Sequence, residues 1–126
     1  MLVLEDERPL VEIIMTKLES NGIDVVTART TEQAMQYLED MGTIDAIWLD
    51  HYLFGKETGL DFVVKLKSEE SKWKSIPVFI VSNTASSGNM QSYMQLGVNK
   101  YFVKAEHQLD WITKEIKDFL DSPHEE

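Results

Sequence analysis

Short apolar runs alternate with stretches of helical periodicity five times along this chain, and that alternation constrains the fold more tightly than any single motif. The apolar runs are LVLE, DVVTA, AIWL, VFIVS and YFV. Runs this short, bounded by polar residues and rich in branched or aromatic side chains, read as strands, the stronger ones buried on both faces. Between them Leu10, Ile14 and Leu18 recur at helical spacing, with Pro9 suited to a first turn and Asn21-Gly22 to a stop. Thr30 to Gln33 has capping-box spacing ahead of Ala34, Leu38 and Met41. Leu60, Val63 and Val64 mark a third helix, Met90 to Leu96 a short fourth one stopped at Gly97, and Leu109, Ile112, Ile116 and Phe119 a fifth. Strand and helix in strict alternation imply α/β architecture: a doubly wound, five-stranded parallel sheet with five helices on its two faces. The connections leave no room for a second domain, so residues 1–121 read as one domain and 122–126 as a polar tail. Such sheets bind ligands outside the carboxyl ends of their strands.

Composition narrows the function. With 126 residues and 43% apolar content the chain suits one well-packed domain. Cysteine is absent, which excludes disulfides and thiolate metal sites and suits a reducing compartment. Twelve basic against 22 acidic residues give a net charge of -10, with no basic patch for nucleic acid. The apolar stretches are too short to span a bilayer and no basic-then-apolar leader opens the sequence, so the expected location is cytoplasmic.

The chemistry collects where the strands end. The first strand runs into Glu5-Asp6-Glu7, the third into Asp50, the fourth into Ser82-Asn83-Thr84 and the fifth into Lys104. Taken alone, the acidic triplet is a solvated charge run at a helix start, Lys104 a surface lysine and Ser82 a strand terminus. In a parallel sheet, however, all four ends share one edge. Crowded carboxylates repel unless a cation neutralises them, and hard oxygen ligands suit Mg²⁺. A lysine can grip a phosphoryl oxygen, a hydroxyl can donate to another, and a carboxylate can form an acyl phosphate. The inventory points to phosphoryl transfer onto Asp50.

At these residues, in LVLEDE, IWLDHYL, FIVSNT and YFVK, the chain resembles the receiver domain of two-component response regulators, the CheY-like family. The resemblance spans essentially the whole chain and implies strand order 2-1-3-4-5. It implies Asp50 as phosphoacceptor for a sensor histidine kinase or phosphotransfer protein. It places Mg²⁺ on Asp6 and Asp50 directly, on Glu5 through water, and on the backbone carbonyl of Tyr52. Ser82 takes the place of the switch hydroxyl, with Asn83 beside it; Lys104 pairs with a phosphoryl oxygen, and the ring of Tyr101 reports the state. The implied protein is a phosphoacceptor that assists its own phosphorylation and dephosphorylation, not a conventional enzyme. Its output is a docking surface for a downstream protein on the face of the fourth helix, fifth strand and fifth helix, where Met90, Tyr93 and Met94 cluster. Neither nucleic acid nor membrane is an expected partner.

Three departures bear on output geometry and dephosphorylation rate. Ala105 follows Lys104 where the family usually has proline, the Asp50–Gly59 spacing is one residue longer with Phe54 at a common proline position, and Asn83 is larger than usual. His51, His107 and His124 read as loop, first-turn and tail residues, and Trp73 and Trp111 as packing. A phosphatase of the haloacid-dehalogenase type needs a second carboxylate where Tyr52 stands, and a flavin site needs glycine where EDERP is acidic. The alternative is a pseudo-receiver, a protein-interaction module independent of phosphorylation, against which the complete acid–hydroxyl–lysine set argues.

Overall fold

The structure is a computed structural model that describes residues 1–50, 58–82, 87–104 and 108–122, with 87–89 described by backbone only. Its elements run β1 (Leu2–Leu4), α1 (Arg8–Ser20), β2 (Val26–Ala28), α2 (Thr31–Met41), β3 (Ile47–Leu49), α3 (Gly59–Lys67), β4 (Val78–Ser82), α4 (Ser87–Leu96), β5 (Lys100–Val103) and α5 (Leu109–Asp121). The strands pair in parallel in the order β2-β1-β3-β4-β5. The order reverses between β1 and β3, which opens the crevice at their carboxyl ends.

Two apolar layers sandwich the sheet, and the two-residue strand period divides them. Leu2, Leu4, Ile47, Leu49, Val78 and Ile80 face one side, where Ala34 and Leu38 of α2, Phe62, Val63 and Leu66 of α3, and Tyr93 of α4 close over them. Val3, Trp48, Phe79, Val81 and Phe102 face the other, against Ile14 and Leu18 of α1 and Ile112 and Ile116 of α5. The central strands are therefore apolar at every position but Ser82, the last residue of β4, because neither face meets water. Trp48 is wholly buried, and its indole N–H finds no hydrogen-bond partner among the described residues.

Helix ends follow local chemistry. Pro9 lies in the first turn of α1, and Gly22 and Gly97 leave their helices at φ 81° and 95°. Thr30 caps α2 by accepting from the Gln33 N–H at 3.2 Å, but the side-chain oxygen Oε1 of Gln33 accepts from the N–H of Arg29 instead of from the cap. A reciprocal capping box forms at α3, where Thr58 accepts from Asp61 N–H and Asp61 accepts from Thr58 N–H.

Several sequence expectations are corrected. The buried stripe of α3 is Phe62, Val63 and Leu66, while Val64 is half exposed because it lies one helical step off that face. Met41 is likewise exposed at the end of α2. α4 starts at Ser87, three residues before Met90, and β2 spans only VTA of DVVTA. Among the described residues no helix is long and apolar enough to cross a membrane.

Candidate functional site

The sheet ladder continues one residue beyond three strands and so fixes the site. Glu5 N–H donates to Ala28 O at 3.1 Å, Asp50 N–H to Leu4 O at 3.0 Å, and Lys104 N–H to Ser82 O at 2.8 Å. Glu5, Asp50 and Lys104 thus emerge at one edge, with the Ser82 residue fully buried at the end of β4. The Lys104 ammonium donates to Glu5 Oε1 at 2.7 Å and stands 3.7 Å from Asp50 Oδ2. The other Glu5 oxygen accepts from the backbone N–H groups of Asp6 at 3.1 Å and Glu7 at 3.5 Å. Tyr101, on β5, packs its half-buried ring 5.9 Å from the ring of Tyr93.

Burial dominates the electrostatics. It pushes the Glu5 carboxyl above its ordinary range, against the hydrogen bond from Lys104, and the nearby Asp50 charge pushes the same way. Asp6 is raised as well, first by burial and then by the charge of Glu5, with Arg29 opposing. Carboxylate oxygens of Glu5, Asp6 and Asp50 lie within 4.8 Å of one another. One lysine ammonium faces this trio, so ionising all three acids leaves an excess of negative charge in a poorly hydrated place. A hard divalent cation relieves that cost, and three oxygen donors with space for water are what such an ion accepts. The residues present fit a Mg²⁺-type site.

The structure therefore brings together Glu5, Asp6, Asp50, Ser82 and Lys104 from four strand ends. Tyr52 and Asn83 lie outside the described residues, as do His51, Phe54, Ala105, His107 and His124. Of the clustered side chains on α4, Tyr93 belongs to the core and Met94 is half exposed. Trp111 packs edge-on against Phe102 at 5.8 Å, and Trp73 lies under the Lys72 ammonium at 5.0 Å. The direct hold of Glu5 on Lys104 was not read from the sequence, where 99 residues separate the pair.

Comparison with known proteins decides the family. Residues 1–117 match the family model of the response regulator receiver domain. The chain belongs to that family. This receiver domain is 32% identical over 103 residues to the phosphate regulon transcriptional regulatory protein PhoB of Escherichia coli K12, a match covering 82% of this chain and 44% of PhoB. It is 28% identical to the transcriptional regulatory protein CpxR of the same organism, with 82% of this chain and 41% of CpxR covered. The chain spans less than half the length of these relatives. The phosphorylated cyanobacterial phytochrome response regulator RcpA is 28% identical and has a TM-score of 0.84, with 98% of this chain and 94% of that one covered. The doubly wound 2-1-3-4-5 fold and the two-component family implied by LVLEDE, IWLDHYL and YFVK are thereby borne out.

Proposed function

We propose that this receiver domain takes a phosphoryl group onto Asp50 from the phosphohistidine of a sensor histidine kinase or phosphotransfer protein, with Mg²⁺ held by Glu5, Asp6 and Asp50. The observation that carries the reading is the placement of a lysine ammonium 3.7 Å from the Asp50 carboxylate, within an acidic trio at the sheet's open edge. An Asp50 oxygen attacks phosphorus as the phosphorus–nitrogen bond breaks. The donor imidazole, protonated on its other ring nitrogen, keeps that electron pair and leaves neutral, and Asp50 becomes an acyl phosphate. Bound Mg²⁺ supplies neutralisation of the charge shared between the Asp50 and phosphoryl oxygens.

This chain's own residues do the rest. Lys104, bonded to Glu5 at 2.7 Å in the unmodified protein, turns to a phosphoryl oxygen once the acceptor carries roughly -1.5 to -2 charges. The Ser82 hydroxyl donates to a second oxygen, and its movement frees space for the Tyr101 ring beside Tyr93. The two-state response then reaches the face of α4, β5 and α5, where a downstream protein docks. Water attacking phosphorus breaks its bond to the Asp50 oxygen, releases inorganic phosphate and returns the carboxylate, so the domain is a self-assisting phosphoacceptor and not a conventional enzyme. Two likenesses support this reading for an input domain working in the cytoplasm: RcpA is a phosphorylated response regulator, and PhoB and CpxR are transcriptional regulatory proteins. Residues 1–121 form that domain and 122–126 its tail.

The test is transfer from phosphorylated kinase cores in Mg²⁺, followed on both proteins. Label should leave the kinase and appear on the wild type, and it should not appear on Asp50→Asn. Transfer to Asp50→Asn at the wild-type rate would refute the assignment.

A further inference from the structure

Helix α4 is fastened to the sheet by little apolar surface. Among its described side chains, Met90 to Leu96, Tyr93 alone is fully buried. Leu96 packs partly against the same core layer, and Met94 is 51% exposed. The ring that Tyr93 meets is that of Tyr101 on β5, half-buried, with centroids 5.9 Å apart and planes tilted by 49°. Tyr101 pairs in register with Ile80 of β4, and Ser82 follows Ile80 on the same face of that strand. Ile80 and Tyr101 belong to the core layer that holds Tyr93, so the switch hydroxyl and both rings share one side of the sheet. Buried side chains are close-packed, so the Tyr101 ring cannot turn inward unless Tyr93 gives way. The far end of α4 is pinned. Tyr93 O accepts from Val98 N–H at 3.3 Å, Gly97 turns the chain at φ 95°, and Asn99 N–H donates to Val78 O at 2.9 Å.

We infer that Tyr93 is the residue that couples the sheet to the output helix: the Tyr101 ring, on turning inward, displaces Tyr93 and thereby tilts α4 about its Gly97–Asn99 end. This rests on the phosphoacceptor reading above and supplies its missing link. Tyr93 acts from inside the core and offers no surface to a partner. Its role is to convert a ring rotation into a helix displacement, because no other described side chain of α4 is held as deeply. Met94, the exposed neighbour of Tyr93 on α4, carries that displacement to the surface. The two tyrosines then form one two-state element, with Ser82 and the phosphoryl group biasing it from one side and the docked protein from the other.

The experiment follows wild type, Tyr93→Leu and Tyr93→Phe by NMR before and during phosphorylation with excess acetyl phosphate in saturating Mg²⁺. In the wild type the ring signals of Tyr93 should shift together with those of Tyr101, and the α4 amides with both. Tyr93→Phe keeps the ring and should keep the α4 response. Tyr93→Leu should gain phosphate, measured by intact mass, within about threefold of the wild-type rate, which also shows that it is folded. Its Tyr101 ring should still respond, but the α4 amide shifts should fall about threefold or more. A full α4 response in Tyr93→Leu would overturn the inference. So would an equal loss in Tyr93→Phe and Tyr93→Leu, because the hydroxyl and not the ring would then be the link. Ring signals of either tyrosine that stay put in the phosphorylated wild type would overturn it without any variant. Failure of the wild type to gain phosphate would instead overturn the Asp50 reading.

Discussion

Lys104 holds Glu5 at 2.7 Å and stands 3.7 Å from Asp50, so its ammonium is shared between the two carboxylates. Replacing it should separate the two roles. Lys104→Ala should still be phosphorylated, but with a faded conformational response, seen in the spectra of the α4–β5–α5 face. It should also lose roughly 1–3 kcal/mol of stability in chemical denaturation, because Glu5 keeps its burial and loses its cation. Asp6 gives a prediction whose sign can be worked out. Its carboxyl is raised by burial and by the charge of Glu5, so the fold binds its proton more tightly than the unfolded chain does. That contribution is fully present below the unfolded pKa and is lost as pH rises through the folded one. Without divalent cations, Asp6→Asn should therefore melt higher than wild type at neutral pH and gain little at about pH 4. In Mg²⁺ the gain should disappear, since only the wild type retains the full ligand set.

At the scale of elements, the cap of α3 and the stop of α4 carry separable costs. Thr58→Ala removes the hydroxyl that accepts from the Asp61 N–H and should cost about 1 kcal/mol in thermal unfolding. Gly97→Ala meets no neighbour within 4 Å, so its cost is the strain of a side chain at φ 95°, about 1–2 kcal/mol. The strands were legible because β1, β3 and β4 are buried on both faces, which leaves LVL, IWL and VFIV apolar at every position, with the buried Ser82 closing β4. Helix faces were less so. In FVV of α3 apolar residues continue past the buried stripe, and periodicity alone does not say that Val64 looks outward. The start of α4 was hidden because Ser87, Gly88 and Asn89 are polar or flexible types that carry no periodic signal. The acidic centre was legible through the strand ends, since a parallel sheet sends them all to one edge. Its internal hierarchy, with Lys104 bound first to Glu5, depends on tertiary placement that no local pattern records.

For the whole molecule, an acidic domain of net charge -10 concentrates three carboxylates at the place where its sheet order reverses. On the proposed function, the site should be a stability liability that a bound cation converts into a gain. Unfolding free energy should rise with Mg²⁺, by about 2.7 kcal/mol at a hundredfold excess over the dissociation constant. NaCl at matched ionic strength should not reproduce this, and Asp6→Asn should lose most of it. The proposed role of Asp50 as phosphoacceptor has a more direct test. Intact mass is measured after incubation with Mg²⁺ and acetyl phosphate, with Asp50→Asn treated alongside. Asp50 as the acceptor requires a gain of one phosphoryl group on the wild type and none on the variant. An equal gain on both proteins would contradict it, as would a wild type that stays unmodified with acetyl phosphate and with every phosphorylated kinase core tried.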